Sequence, residues 1–118
     1  MAELPMPKPR ASSGLASEFY VTYQLYRRGY VGVVTYGNAK ALDLLAANPE
    51  DNRTATIEVK SLKGKTNWPI RARSVMAAKN HFYVLVGYED RWERPDAAPR
   101  VWVIPSAKIS ALLKPWSR

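Results

Sequence analysis

The sequence has no cysteine, a single histidine (His81) and no long apolar segment. Without cysteine the chain forms no disulfides and offers no thiolate ligands for zinc, and one histidine excludes a histidine-cluster metal site. No apolar run approaches the roughly 20 residues that a membrane-spanning helix needs, and residues 1–5 lack the basic and apolar regions of a signal peptide. We therefore expect a cytoplasmic protein with no membrane segment.

Acidic residues are scarce relative to basic ones. Eighteen Lys and Arg stand against ten Asp and Glu, which gives a formal charge of +8. Residues 1–60 hold seven basic and six acidic residues, whereas residues 61–118 hold eleven and four. A basic half of this kind suits a polyanion such as nucleic acid, and a solvated basic surface explains the charge equally well.

Length and composition predict one folded domain. The 118 residues, 47% of them hydrophobic, are enough for a modest core without disulfides or structural metals. Residues 1–11 carry three prolines and no periodicity, so we predict a flexible N-terminal arm there. The single domain then covers residues 12–118.

The first half of the domain predicts a helix followed by three strands. The helix begins at Ser12 or Ser13 and ends near Arg28, because Gly29 follows. Its apolar stripe, expected to contact the core or a second copy, consists of Leu15, Phe19, Tyr23 and Tyr26. The three strands cover residues 30–36, 41–46 and 54–60, and short polar turns join them into a meander.

The second half predicts a helix, two more strands and a closing helix. A loop over residues 62–69 leads to a helix over residues 72–80. An almost wholly apolar strand over residues 81–88 is typical of a strand covered on both faces. The last strand covers residues 101–104, and Ser106 caps a helix over residues 107–113.

Asp43, Glu58 and Lys60 are the candidate residues for chemistry. Every second residue of strand 54–60 is apolar, so Glu58 and Lys60 point to the same side. If this strand pairs with its predecessor through the turn, Asp43 approaches Glu58. Two carboxylates and one lysine at one place are suited to metal-dependent hydrolysis.

This arrangement resembles the PD-(D/E)XK nuclease superfamily. The likeness is greatest to its small archaeal Holliday-junction-resolvase-like and restriction-endonuclease-like members, and it covers about residues 12–104. Glu18 matches the acidic position of the first helix, and Asp43 matches the aspartate of the motif. Glu58 and Lys60 match its E-x-K.

The chain departs from the motif at Leu42, where the pattern has a proline that many members also lack. The resemblance implies an α/β fold with a restriction-endonuclease-like three-layer core. In such a core, helices flank a mixed central β-sheet in the order αβββαβ.

The resemblance also implies an activity, that of a DNA endonuclease that depends on Mg²⁺ or Mn²⁺. Asp43, Glu58 and the backbone carbonyl of Val59 would hold the cation, since Mg²⁺ prefers oxygen ligands. Lys60 would orient the attacking water and stabilise the transition state. Glu18 would orient a water or help to hold a second ion.

The basic residues that follow this strand are predicted to bind the phosphate backbone. They are Lys63, Lys65, Arg71, Arg73 and, further along the chain, Lys79. The expected partner is DNA as a duplex, a junction or another branched form. Cutting both strands requires two sites, so we also expect a homodimer.

Each of the four site residues also has an ordinary explanation. Glu58 and Lys60 would form a surface ion pair, Asp43 would be a solvated turn residue, and Glu18 would be a first-turn acid favoured by the helix dipole. If these explanations hold, the protein has no catalytic site. The alternative function is then that of a non-catalytic nucleic-acid-binding subunit with a nuclease-like fold. A small basic ribosome- or RNA-associated protein is a third possibility, which explains the charge but not the acidic pair.

Overall fold

The computed structural model describes residues 13–35, 43–68, 70 and 77–113. Within these ranges the chain forms two helices and five strands. In chain order they are α1 (Ser13–Arg27), β1 (Val31–Val34), β2 (Leu44–Ala47), β3 (Thr54–Leu62), β4 (His81–Gly87), β5 (Arg100–Pro105) and α2 (Ser106–Leu113). The predicted arm over residues 1–11 lies outside the described ranges.

The five strands form one mixed sheet in the order β1-β2-β3-β4-β5. The β1–β2, β2–β3 and β4–β5 pairs are antiparallel, and β3 and β4 are parallel. The predicted α/β class with a mixed central sheet is therefore confirmed. The finer assignment, a restriction-endonuclease-like core, remains a prediction.

The predicted strands and the last helix agree with the structure within a few residues, whereas the described part of the predicted helix 72–80 is not helical. Residues 77–80 of the predicted helix 72–80 form a turn that leads into β4, and Asn80 has a positive φ of 60°. Residues 72–76 lie outside the described ranges. In the part of the chain that the structure describes, neither helix is long and apolar enough to cross a membrane.

Glycine ends α1 at the position that the sequence indicates. Gly29 has a φ of 87°, which is accessible to glycine at little cost. Its N–H donates to the Tyr26 carbonyl at 3.1 Å, and the Tyr30 N–H donates to the Leu25 carbonyl at 3.0 Å. These two bonds form a Schellman motif, so the chain leaves the helix and enters β1 almost at once.

The predicted apolar stripe of α1 does not face the sheet. Its members are exposed to about half of their surface, and they are Leu15, Phe19, Tyr23 and Tyr26. Ser17, Val21 and Leu25 face the sheet instead. The interpretation of the stripe as a core contact is therefore wrong, and contact with a second copy stays a prediction.

Small residues explain which face of α1 is buried. Ser17 is fully buried and hydrogen-bonds to the Tyr88 hydroxyl at 2.7 Å. Under the other end of the helix, a Cβ added to Gly32 would lie 3.1 Å from Leu25 Cδ1. Because Ser17 and Gly32 take little room, the helix lies closer to the sheet on this side than bulky rings would allow.

The two helices pack on opposite faces of the sheet. On one face α1 covers a core made of Val21, Leu44, Ala46, Ile57, Val84 and Val86. On the other face Ile109 of α2 packs with Tyr83 and Leu85 of β4. This arrangement is compatible with a three-layer fold.

Candidate metal centre

Asp43 and the E-x-K residues of β3 lie near the point where β2 begins and β3 extends past it. β2 pairs with β3 only as far as Leu44, which lies opposite Ile57. Among the described residues, β4 is the only strand that pairs with the rest of β3, as far as Leu62. Asp43 immediately precedes β2, so its side chain lies next to the part of β3 that β2 leaves unpaired.

A local irregularity positions Asp43. Its N–H donates to the Ile57 carbonyl at 2.9 Å, so Asp43 and Leu44 both lie against Ile57, as in a β-bulge. Its carbonyl accepts hydrogen bonds from the N–H and the hydroxyl of Thr35, at 2.9 and 3.1 Å. Bulges redirect side chains, and this one directs the Asp43 side chain toward β3.

The Asp43 carboxylate contacts the backbone between the two residues of the E-x-K. Its Oδ2 accepts a hydrogen bond from the Val59 N–H at 2.7 Å. A carboxylate on a backbone N–H makes a strong, charge-assisted bond, so the side chain is held firmly. Within the described ranges no hydrogen bond to its Oδ1 is present, which leaves this oxygen as a possible ligand atom.

The Val59 carbonyl points to the same side as Asp43. The Thr56 N–H donates to the Asn80 carbonyl, and the Leu62 carbonyl accepts from the Tyr88 N–H, both at 2.9 Å. The even-numbered residues of β3 therefore direct their backbone groups toward β4. Those of Val59 point away from β4, into the space that Asp43 borders.

Glu58 and Lys60 lie together on one face of β3, as their spacing predicts. Lys60 Nζ is 3.7 Å from Glu58 Oε2, and Glu58 is only 8% exposed. The ion pair that the ordinary explanation expects is therefore present, with Glu58 mostly buried and Lys60 partly exposed. A mostly buried carboxylate with a lysine partner contributes little to stability once its desolvation is counted, which favours a functional reason for the pair.

Glu18 lies in the second turn of α1 and interacts with Asp43. No acidic residue occupies the first turn, so the helix-dipole explanation of Glu18 is wrong. Partial burial raises the pKa of the Glu18 carboxyl above its ordinary value of 4.5, and the charge of Asp43 raises this pKa further. Asp43 is therefore close enough to Glu18 of α1 for their charges to interact, and its carboxylate also contacts the E-x-K strand at the Val59 N–H.

The acidic side chains do not form a three-ligand cluster. Among the described residues no group of three or more His, Cys, Asp or Glu side chains is arranged to hold a metal ion. The available set is the Asp43 and Glu58 carboxylates with the Val59 carbonyl, all of them oxygen donors. Such a set fits Mg²⁺, which keeps several waters and needs only one or two carboxylates. Joint coordination of one cation by Asp43 and Glu58 remains a prediction.

A pH-dependent stability is expected from Glu18. A pKa raised in the folded state favours folding below the unfolded pKa, near 4.5, and this contribution is lost as the pH rises through the folded pKa. In metal-free buffer the stability of Glu18→Gln relative to that of the native chain should therefore increase as the pH rises above 4.5. The gain should stay below about 1 kcal/mol, since the side chain is partly exposed. Denaturant unfolding at a series of pH values measures it, and a difference that does not change with pH would contradict the interaction.

The predicted phosphate-binding residues lie at different ends of the sheet. Lys63 and Lys65 follow β3, at the same sheet end as Lys60. Lys79 is exposed in the turn before β4, so it lies at the opposite end of the parallel pair. Arg71 and Arg73 fall outside the described residues. The structure thus groups Lys63 and Lys65 with the candidate site and leaves Lys79 apart.

Trp92 is a neighbour of the site that the sequence did not indicate. The Lys63 ammonium lies 4.9 Å from the centroid of the Trp92 ring, and this ring meets Tyr88 edge-on at 4.8 Å. The Asp90 N–H also donates to the Lys63 carbonyl at 2.7 Å. A parallel pairing of β3 with β4 could have indicated this neighbour, because parallel strands bring the loops that follow them to one edge of the sheet.

Comparisons with known proteins give no further assignment. No protein-family model matches the chain, and neither a curated protein nor a solved structure matches it. The resemblance to the PD-(D/E)XK nucleases therefore depends on the residues and contacts described above.

Proposed function

We propose that this protein is a Mg²⁺- or Mn²⁺-dependent nuclease that hydrolyses phosphodiester bonds in DNA, with a core like that of the PD-(D/E)XK enzymes. The observation that carries the proposal is the 2.7 Å hydrogen bond from the Val59 N–H to Asp43 Oδ2. It brings one carboxylate against the residue that separates Glu58 from Lys60. Aspartate, glutamate and lysine would thereby share one site beside the start of β2.

The oxygen ligands suit a hard divalent cation. Asp43, Glu58 and the carbonyl of Val59 would hold it, and waters would complete the octahedral shell that Mg²⁺ demands. When bound, such a cation makes a water more acidic and offsets the charge that develops on the phosphate. A cation held by Asp43 would also offset the repulsion between Asp43 and Glu18.

Two side chains of the protein, Lys60 and Glu18, would make hydrogen bonds to the reacting groups. Lys60, 3.7 Å from Glu58, donates a hydrogen bond to the attacking water or to a phosphate oxygen. Glu18 accepts a hydrogen bond from a water and could so orient it. The resemblance implies a 5′-phosphate and a 3′-hydroxyl as products.

The charge distribution supports a nucleic-acid substrate. The formal charge of +8 attracts a polyanion, and Lys63 and Lys65 follow the candidate site directly. Contacts of Lys63 and Lys65 with phosphates would carry no sequence information. We therefore propose that the protein recognises DNA structure, such as a junction, more than DNA sequence.

Cleavage of a labelled duplex and a labelled four-way junction tests the proposal. We expect cutting in Mg²⁺ or Mn²⁺ and none in EDTA. The alternative, a non-catalytic binding subunit, predicts binding without cutting in every cation. Unshielded Asp43 and Glu58 would repel phosphate, so that alternative leaves their positions unexplained.

A salt titration tests the role of the basic loop after β3. Neutralising Lys63 and Lys65 by Lys→Gln should weaken binding for all sequences and lower the log–log salt slope by roughly one unit per residue. The measurement is DNA affinity in Ca²⁺, which generally supports binding without cutting in such enzymes. Arg27→Gln with Arg28→Gln is the matched control, because this pair is exposed at the far end of α1. A change of slope in the control pair alone would show that DNA binds elsewhere.

A further inference from the structure

β5 is an apolar edge strand in the described part of the sheet. Among the described residues no strand lies beyond β5, and Val101, Trp102 and Val103 are all exposed, Val103 to 64%. Natural edge strands are usually guarded against pairing by charges, prolines or a covering segment. In β5 such residues stand only at the ends, as Arg100 and Pro105, while the four residues between them are apolar.

At two positions of β5, the backbone groups have no hydrogen-bond partner among the described residues. The backbone groups of the even-numbered β4 residues point toward β3, so those of the odd-numbered β4 residues bond to β5. Their partners in β5 are the even-numbered residues Arg100, Trp102 and Ile104. The N–H and C=O groups of Val101 and Val103 therefore point away from the sheet. Prolines at 99 and 105 occupy the next outward positions on either side and have no N–H to donate.

We propose that β5 pairs antiparallel with β5 of a second copy, about a two-fold axis at Trp102. In this register Val101 of each copy lies opposite Val103 of the other. Both outward N–H groups and both outward carbonyls of each copy then find partners, which gives four hydrogen bonds across the axis. An interface of this kind is isologous, since one segment supplies the same surface to both copies.

The side chains of β5 agree with this pairing on both faces of the sheet. Val101 and Val103 border an apolar groove of about 470 Å³ that α1 does not fill, with Phe82 and Leu25 among its lining residues. Pairing would give these valines apolar neighbours across the axis. On the other face Trp102, which meets Trp68 edge-on at 5.8 Å, would face its counterpart at a non-hydrogen-bonded position, where side chains approach most closely.

Charge does not oppose the contact. Arg100 is the one charged residue of β5, and its guanidinium lies 3.5 Å from Glu89 of the same chain. It would face the apolar Ile104 of the other copy in this register.

The exposed stripe of α1, which includes Phe19, is a second apolar surface, but nothing in its pattern matches it to a copy of itself. The inference does not rest on the proposed chemistry, since an inactive chain would pair in the same way.

Sedimentation equilibrium of the full chain over a wide concentration range tests the pairing. The native chain should form a dimer, and Val103→Lys should raise its dissociation constant by roughly tenfold or more, because two lysines would be buried at each interface. Val33→Lys is the matched control: it makes the same substitution on β1, the other edge strand, at a residue that is 51% exposed. It should leave the dissociation constant unchanged.

Hydrogen exchange provides a second readout that does not depend on a variant. The amide protons of Val101 and Val103 should become protected as the concentration rises through the dissociation constant. A native chain that stays monomeric would overturn the proposal, as would a dimer that Val33→Lys or Phe19→Lys dissociates and Val103→Lys does not. Protection of both amides at every concentration would also overturn it, because a segment of the same chain would then cover the edge.

Discussion

Lys60→Ala is expected to slow DNA cleavage by about 10²- to 10³-fold while DNA affinity in Ca²⁺ stays within about twofold. The ammonium lies beside Glu58, at 3.7 Å, where the charge of the reacting phosphate would develop. A group that acts mainly in the transition state lowers the rate of the chemical step and leaves ground-state binding almost unchanged. Single-turnover cleavage and equilibrium binding, measured on the same labelled substrate, give the two numbers.

Two further variants make this result interpretable. Lys60→Ala leaves Glu58 mostly buried without its partner, so its unfolding must be measured as well. Lys60→Arg keeps the ion pair and should remain folded, but it should cleave slowly because guanidinium geometry differs from that of an ammonium. Lys65→Ala, the matched lysine in the loop after β3, should affect binding more than the chemical step. Equal losses of binding and cleavage in Lys60→Ala would identify Lys60 as a phosphate anchor.

The sheet was more predictable than the packing of the first helix. Alternation with a period of two fixes which residues of a strand share a face, so the sequence alone places Glu58 and Lys60 on the same face. α1 carries two sets of residues at helical spacing, one with Phe19 and Tyr23 and one with Ser17 and Val21. Hydrophobicity favours the first set, but the close approach over Gly32 selects the second. Steric fit of this kind depends on a strand distant in sequence, so a helical pattern alone does not reveal it.

The register around Asp43 could not be derived from the sequence either. The hairpin loop over residues 48–53 sets Ala47 opposite Thr54, and the bulge at Asp43 then shifts the pairing by one residue. A slip of one residue turns a side chain to the other face, so small differences in loop geometry decide where a carboxylate points. The pattern predicted that Asp43 approaches Glu58, and this approach stays a prediction. It did not predict the hydrogen bond that Asp43 accepts from the Val59 N–H.

The sequence pattern did not predict the burial of Glu58. This burial arises on the face of the sheet that α2 covers. Glu58 lies beside Tyr83 of β4, and Tyr83 packs with Ile109 of α2. The parallel pairing that creates this neighbourhood joins segments more than twenty residues apart. Local patterns therefore identified the residue and its partner Lys60, whereas its environment followed from the tertiary fold.

Asp43→Asn is expected to weaken Mn²⁺ binding by more than about 100-fold and to reduce cleavage to background. Loss of an outer-shell partner already costs about 10- to 100-fold in metal affinity, and Asp43 is proposed as a direct ligand. Asparagine retains an oxygen that accepts the Val59 N–H, so the fold should survive the change. Removing the negative charge should also leave metal-free DNA binding unchanged or tighter, because one source of repulsion toward phosphate disappears.

Asp51→Asn serves as the matched control for Asp43→Asn. Asp51 is exposed in the β2–β3 turn, 3.7 Å from Arg53, and has no role in the proposed site. Titration calorimetry with Mn²⁺ on the native chain and both variants compares the affinities, and cleavage assays on the same samples compare the rates. Because Asp43→Asn alters charge at one carboxylate and keeps its hydrogen bond, a loss confined to this variant would point to coordination. Native-like Mn²⁺ affinity in Asp43→Asn would show that the cation binds away from Asp43.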